Sequence, residues 1–389
     1  MHTNTIVRAA ATAGDLARLR AFAAAQGASR SVERHLAEPR YHPALTRIAE
    51  RDGAITGYAL ISHQRLRRGA ALLEAGVIER LDAPSDAESF AALLGDCLGA
   101  LIDNGLSLAL VRGAPVIYTP FGFAAYRLSA VAELEIGAAA SHDSLRPATL
   151  DDLDDLAALY EASYRELPLA EARTAPDWRA WLAEEQTALA LEDSRGRVAA
   201  YATIGRIERN ALSITEAAAA DAGAARELCA ALALYAQTPG AQRLAFMLSP
   251  AHSVARAALH LGGAALIRAT PNDAEETALA GVVSLPAMLE ALAPEFDRRL
   301  AGSRYAGWSG NLRVEIATER ITLAFAEGYT TVIDGSRPAD LRLRDVGLPA
   351  LAQLCLGYRA AADLRATGEL ACDDTALGLI DALFPVILF

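Results

Sequence analysis

The run Leu106 to Val111 is apolar and of strand length, and Gly113 and Pro115 stop it abruptly. Tyr118-Thr119-Pro120-Phe121-Gly122-Phe123 follows, and Phe123 to Ile136 then alternates loosely between apolar and polar positions, as a returning strand does. A strand, a tight turn and a returning strand belong to a sheet, whose other strands must come from elsewhere in the chain. Upstream the pattern supplies them. Thr5 to Arg8 reads as a strand, and Asp15 is the expected N-cap of a helix carrying Leu16, Leu19 and Phe22 on one face. Strands are expected around Leu45 to Glu50 and Ile55 to Ser62, joined by Asp52-Gly53. Arg65 to Gly69 reads as the next turn, Ala71 to Leu81 as a fourth strand, and Ser85 to Asn104 as an amphipathic helix stopped by Gly105.

The pattern restarts at Leu145-Arg146-Pro147. Thr149-Leu150-Asp151-Asp152-Leu153 loosely echoes Thr12-Ala13-Gly14-Asp15-Leu16, each a few residues after an apolar-Arg pair. A helix from about Leu153 to Tyr160 follows, then one with Trp178 and Trp181 on its core face. Strands are expected at Thr187 to Leu191, Val198 to Ile204 and Leu212 to Glu216, an apolar helix at Ala220 to Ala236, and a strand at Arg243 to Met247. Such an echo, with little residue identity, is what a duplicated and diverged module leaves. From about Val282 the character changes to a helix opening at Leu285, strands at Leu312 to Ile316, Ile321 to Phe325 and Ala339 to Arg344, and helices at Leu348 to Gly357 and Asp374 to Leu383. The expected partition is 1–143, 144–281 and 282–389, and 389 residues suit two or three cores.

A net charge of −12 and the lack of a long basic run argue against nucleic acid as a partner, whereas a cationic amine suits that field. All 36 permanently basic side chains are arginine. Cys97, Cys229, Cys355 and Cys372 are far apart with no CxxC pair, and read as buried thiols in a reducing compartment. The N-terminus lacks the basic start and apolar core of a signal peptide, and the longest apolar runs are interrupted by charge. A cytoplasmic protein without membrane association is expected.

The strand, turn, tyrosine and Phe-Gly-Phe step at Leu110 to Phe123 resembles the end of a GNAT acyltransferase core. Leu356-Gly357-Tyr358-Arg359-Ala360-Ala361-Ala362-Asp363-Leu364 and Leu383-Phe384-Pro385 resemble a sterol-carrier-protein-like domain. Two GNAT modules followed by such a domain is the order of the enhanced-intracellular-survival acetyltransferase family, and the resemblance covers essentially the whole chain. It implies a mixed α/β fold: two GNAT-fold modules with mixed, largely antiparallel sheets and a C-terminal sterol-carrier-like α+β domain. It implies acetyl transfer from acetyl-CoA to a primary amine of a small molecule or peptide. Tyr118 would then protonate the departing thiolate, and the carboxylate of the terminal Phe389 would act as general base. The backbone of Arg80, Leu81 and Asp82 would be the pantetheine rail, with Ser85 at the cofactor-facing helix start. The resemblance also implies a homo-oligomer, with a hexamer as its candidate form.

The residues also support plainer readings. A CoA pyrophosphate needs free N–H groups at a glycine-rich helix start. The stretch Asp82 to Phe90 has no Arg and no Gly, carries three acids, and Ser85-x-x-Glu88 fits a self-satisfied capping box. Arg65, Arg67 and Arg68 read as a solvated hairpin turn. Tyr118 also reads as a packed core tyrosine, and Pro385 to Phe389 as an apolar tail on its own domain. His252 and His260 read as core or surface histidines, and Asp151 to Asp155 as acids at a helix start rather than a calcium loop. No metal is expected. The rival to an acetyltransferase is a non-catalytic GNAT-fold ligand-binding or scaffold protein, and a third reading is an acyltransferase using a carrier other than CoA.

Overall fold

The structure, a computed structural model, describes residues 5–83, 86–126, 129–137, 145–165, 167, 169–184, 187–237, 240–268 and 277–386. They form two compact units, one from 1–126 with 271–386 and one from within 127–270.

The first unit is organised by a mixed sheet in which Ile6–Ala9, Thr46–Arg51, Ala54–Arg68 and Ala71–Asp82 follow one another antiparallel. Leu108–Arg112 then pairs parallel to Ala71–Asp82, and Ala278–Val282 and Ala124–Ala125 complete the order. The alternation in Tyr58-Ala59-Leu60-Ile61 sends successive side chains to opposite faces. Tyr58 and Leu60 join Leu19 and Val32 from the helices Ala13–Ala25 and Ser29–Leu36. Ala59 and Ile61 join Leu93, Leu94, Cys97 and Leu101 from the helix Ala87–Asp103.

Asp52-Gly53 turns as expected, both residues having positive φ. The next turn does not lie where the arginines suggested. Arg65, Arg67 and Arg68 belong to the long strand, Gly69-Ala70 makes the turn, and the Arg68 side chain is fully buried. Asp15 is not the N-cap of the first helix. Thr12 is, and Asp15 closes a capping box by accepting from the Thr12 backbone N–H.

The same unit contains the four-stranded sheet Tyr329–Asp334, Arg320–Ala326, Gly310–Glu315, Leu341–Leu343, with the helices Leu285–Ala301, Leu348–Leu356, Ala361–Ala366 and Asp374–Leu383. Tyr329–Asp334 escaped the sequence pattern because none of its residues is buried, so it lacks an apolar stripe. The buried Glu295 of the first of these helices accepts hydrogen bonds from Arg298, Arg299 and the Ala70 backbone N–H. Gly69 leaves room for it: its φ is +60°, and a Cβ there would overlap the Glu295 carboxylate.

The second unit repeats the plan. Its sheet runs Ala264–Arg268, Ser129–Glu135, Arg243–Phe246, Ala211–Ala219, Val198–Glu208, Ala188–Glu192, Leu145–Pro147. Among the described residues its only parallel pair is Ala211–Ala219 with Arg243–Phe246. The echo between the modules extends to side-chain bonds. Arg8 binds Asp15 and Glu50, and Arg146 binds Asp152 and Glu192, while Thr149 and Asp152 form a second capping box. The cut points at 143 and 281 do not follow the sheets. Ser129–Glu135 lies in the second sheet, and Ala278–Val282 lies in the first.

The thiols of Cys97, Cys229 and Cys355 are buried, and burial pushes each up to about 12. His252, also buried, caps the helix Ser253–His260 by accepting the Val254 N–H at Nδ1, so its proton sits on Nε2. Burial lowers it to about 4. Unfolded histidine binds its proton at about 6.5, so the unfolded chain takes up a proton between those values that the folded one refuses. The His252 contribution is therefore complete above about 6.5 and lost as pH falls through about 4. Urea unfolding of the second unit is expected to lose about 2 kcal/mol from this group between pH 7 and 5. The His252→Asn variant, which keeps a capping acceptor but cannot titrate, should abolish that slope; an unchanged slope would assign it to other groups.

Candidate functional site

The strand Ala71–Asp82 is paired on one edge to Ala54–Arg68 along its whole length, from Arg68–Ala71 to Tyr58–Asp82. On its other edge the parallel ladder to Leu108–Arg112 ends at Ile78–Val111. Beyond that point Glu79 to Asp82 have no strand on that edge among the described residues. The expected rail residues Arg80, Leu81 and Asp82 lie along this free edge. Arg80 bonds Asp82 at 3.3 Å and lies 5.9 Å from the Tyr58 ring centre, so the paired charges leave the backbone as the useful feature.

A bulge marks the same place. Leu60 pairs with Arg80 but Ile61 pairs with Ile78, which makes Glu79 the extra residue. Its side chain turns to the face covered by Ser29–Leu36, where Ser31, Arg34, His35, Glu38, Leu60 and Arg80 line a cavity with it, of about 60 Å³. Ser62 Oγ stands 3.0 Å from Glu38 Oε1 and 3.1 Å from Glu79 Oε1. One hydroxyl has one proton to give. Both contacts are hydrogen bonds together only when one carboxyl carries a proton and donates it to Oγ. Burial, followed by the Glu38 charge, raises Glu79 above the usual carboxylate range, while Arg34 at 3.4 Å opposes that rise. Glu79 is thus a carboxyl of raised proton affinity that faces a second carboxyl across one hydroxyl. No sequence motif flagged it, because neither Glu38 nor Glu79 stands in a recognisable spacing; only the bulge brings them together.

Tyr118 ends the short helix Pro115–Tyr118 that follows Leu108–Arg112. Its ring is buried on the opposite face of the sheet, against Phe90 and Phe123, with ring centres 5.8 and 5.7 Å away. Gly113 permits this approach, since a Cβ there would overlap the ring. Burial raises the phenol above its ordinary value, so it is protonated at neutral pH. Phe90 belongs to the first turns of Ala87–Asp103, which places Tyr118 beside the start of that helix.

The helix start is filled by a carboxylate. The sequence pattern assigned the cap to Ser85 with Glu88; instead Asp86 is the N-cap and accepts from the Ser89 N–H at 2.8 Å. Arg51 Nη2 lies 3.6 Å from Asp86 and donates to Ser89 Oγ at 2.9 Å. Hydrogen bonds from Ser89 keep the Asp86 carboxyl below its usual range. An anionic group arriving here meets a fixed negative charge, so the described residues do not fit a pyrophosphate at this helix. Ser85 and Phe389 lie outside the described residues.

The corresponding strand edge of the second unit finds partners within the unit. Past the ladder's end at Ile214–Phe246, the Ala217 and Ala219 N–H groups donate to Tyr164 Oη and Ser163 Oγ at 3.4 Å. Among the described residues no group of His, Cys, Asp and Glu could hold a metal ion, and no helix is long and apolar enough to cross a membrane.

No family model and no curated protein matches the chain. Solved structures do. A GCN5-related N-acetyltransferase from Anabaena variabilis ATCC 29413 superposes with a TM-score of 0.75 at 16% identity, covering 99% of this chain and 98% of that one. One from Kribbella flavida gives 0.71 at 17%, covering 99% and 96%. Eis1 from Mycobacterium abscessus gives 0.62 at 15%, covering 99% and 98%. The likeness is one of fold over the full length: a mixed α/β chain with the GNAT architecture.

Proposed function

We propose that the chain transfers an acetyl group from acetyl-CoA to a primary amine of a small molecule or peptide. The observation that carries this reading is the end of the parallel ladder at Ile78–Val111, which leaves the edge from Glu79 to Asp82 free among the described residues, with Glu79 on one face of the sheet and Tyr118 on the other. The amine nitrogen attacks the thioester carbonyl while a base takes its proton. As the tetrahedral intermediate collapses, the C–S bond breaks and the leaving sulfur takes a proton from Tyr118. Glu79 replaces the Phe389 carboxylate as the leading base, because its proton affinity is raised and it borders a cavity that it shares with Ser31, Arg34, Glu38 and Arg80. Backbone groups of Arg80 to Asp82 hold the pantetheine arm. The cytoplasm, a homo-oligomeric assembly and a sterol-carrier-like role for residues 282–389 belong to the same reading.

A second reading, a GNAT-fold ligand-binding or scaffold protein without catalysis, is favoured by the Asp86 cap, which occupies the place of the pyrophosphate. Calorimetry with acetyl-CoA and with S-acetylpantetheine decides between them. The transferase reading expects both to bind with similar affinity, since the rail rather than the helix start supplies the contacts. It further expects Asp86→Asn to tighten acetyl-CoA selectively, by about tenfold for one like charge removed. Absence of heat with either compound at millimolar concentration sinks the transferase reading.

A further inference from the structure

Arg173 stands in the connector between the strand Ala170–Glu171 and the helix Ala175–Glu184. Its guanidinium carbon lies 4.7 Å from the ring centre of Tyr160, 4.8 Å from that of Trp178 and 5.1 Å from that of Trp181. Its two terminal nitrogens donate to the two oxygens of Glu216 at 2.9 and 2.6 Å, and Nε donates to Glu171 at 2.9 Å. Tyr201 Oη donates to Glu216 at 2.8 Å and fixes the carboxylate that receives the fork. The arginine side chain is 9% exposed.

Flat aromatic faces and a coplanar carboxylate are what a delocalised, weakly hydrated cation selects, and an ammonium fits them less well. The walls come from regular elements: Tyr160 from Leu153–Tyr164, the tryptophans from Ala175–Glu184, Tyr201 and Glu216 from adjacent strands. The occupant comes from the connector. Edge-to-face contacts between Tyr160 and Trp178, Trp178 and Trp181, and Trp181 and Tyr201 hold the walls to one another without it.

We infer that the second unit contains a built recognition site for an alkylguanidinium, the head group of arginine and its derivatives, occupied in cis by Arg173. A free ligand of that class takes the same position when Arg173 is absent, and competes with it when it is present.

The test uses Arg173→Ala and Arg173→Met in the full chain, the Met variant keeping the aliphatic stem that packs on the rings. Methylguanidinium is the probe and methylammonium the control. Trp178 and Trp181 are two of the three tryptophans, so emission reports the cage directly. The expected result is saturable quenching of both variants by millimolar methylguanidinium, a rise in Tm, at least tenfold weaker binding of methylammonium, and loss of binding on adding Glu216→Gln. The unsubstituted protein should show no saturable response in that range. If a variant is unfolded alone, methylguanidinium is expected to restore its circular dichroism. Folded variants without saturable quenching, equal response to both cations, or an unfolded variant that methylguanidinium does not restore would each overturn the inference.

Discussion

Glu79→Gln is expected to lower the rate of amine acetylation by about 10²- to 10⁴-fold, the range typical of a removed general acid or base. The amide keeps the size and the contact with Ser62 but cannot accept a proton. Binding of acetyl-CoA should be unchanged, because the side chain turns to the face covered by Ser29–Leu36, away from the face that holds Tyr118. The pH profile gives the sharper test. Glu79 acts as a base only when ionised, and burial with Glu38 nearby raises it, so the rate climbs as pH rises through that raised value. Arg34, His35, Glu38 and Arg80 are the charged or titratable groups facing it, and Ser62 is its hydroxyl partner. Glu38→Gln removes the like charge and should move the climb to lower pH. Tyr118→Phe should slow turnover without altering that limb. If Glu79→Gln retains full rate while removal of Phe389 abolishes it, the base is the terminal carboxylate and the assignment of Glu79 is wrong.

Glu295→Ala is expected to destabilise the first unit by about 3–5 kcal/mol, as breaking a buried ion pair from one side does. Glu295 is 0% exposed and Arg299 is 9% exposed. Arg299 also donates to the Leu383 carbonyl, and the fully buried Arg68 donates to the Leu356 carbonyl at 3.0 Å. Burial, then the Arg299 charge, pulls Arg68 down to about 9, which leaves it charged at neutral pH. Burial alone would raise Glu295, but the bonds from Arg298 and the Ala70 N–H, with the Arg299 charge, outweigh it and lower it. Without Glu295, two buried guanidinium groups face each other uncompensated and the Ala70 N–H loses its acceptor. Glu295→Gln keeps that acceptor and should cost less. Urea unfolding at pH 7 measures both, and equal loss in the two variants would mean that packing, not charge, is what Glu295 supplies.

Much of the fold was readable along the chain because its elements carry period-2 or period-3.6 patterns. Tyr58 to Ile61, and Leu93 with Cys97 and Leu101, each state their structure in neighbouring residues. The misreadings have a common cause. Arg65 to Arg68 looks solvated because cations usually are, yet a carboxylate more than 200 positions away lies close to Arg68. Ser85 and Asp86 are equally good caps by type, and backbone geometry chose the second. Tyr118 was visible as part of a motif, and the structure packs it against Phe90 at the start of the helix Ala87–Asp103.

The sequence alone determined the order of most strands and helices, the internal duplication and the acidic character of the helix start at Asp86, because these depend on neighbours in the chain. Tertiary structure alone decided which sheet receives Ser129–Glu135 and Ala278–Val282, the pairing of Glu38 with Glu79, the burial of Arg68 and the enclosure of Arg173. Each of these joins groups far apart in the chain, and their energy depends on desolvation and orientation, which no local pattern of residues records.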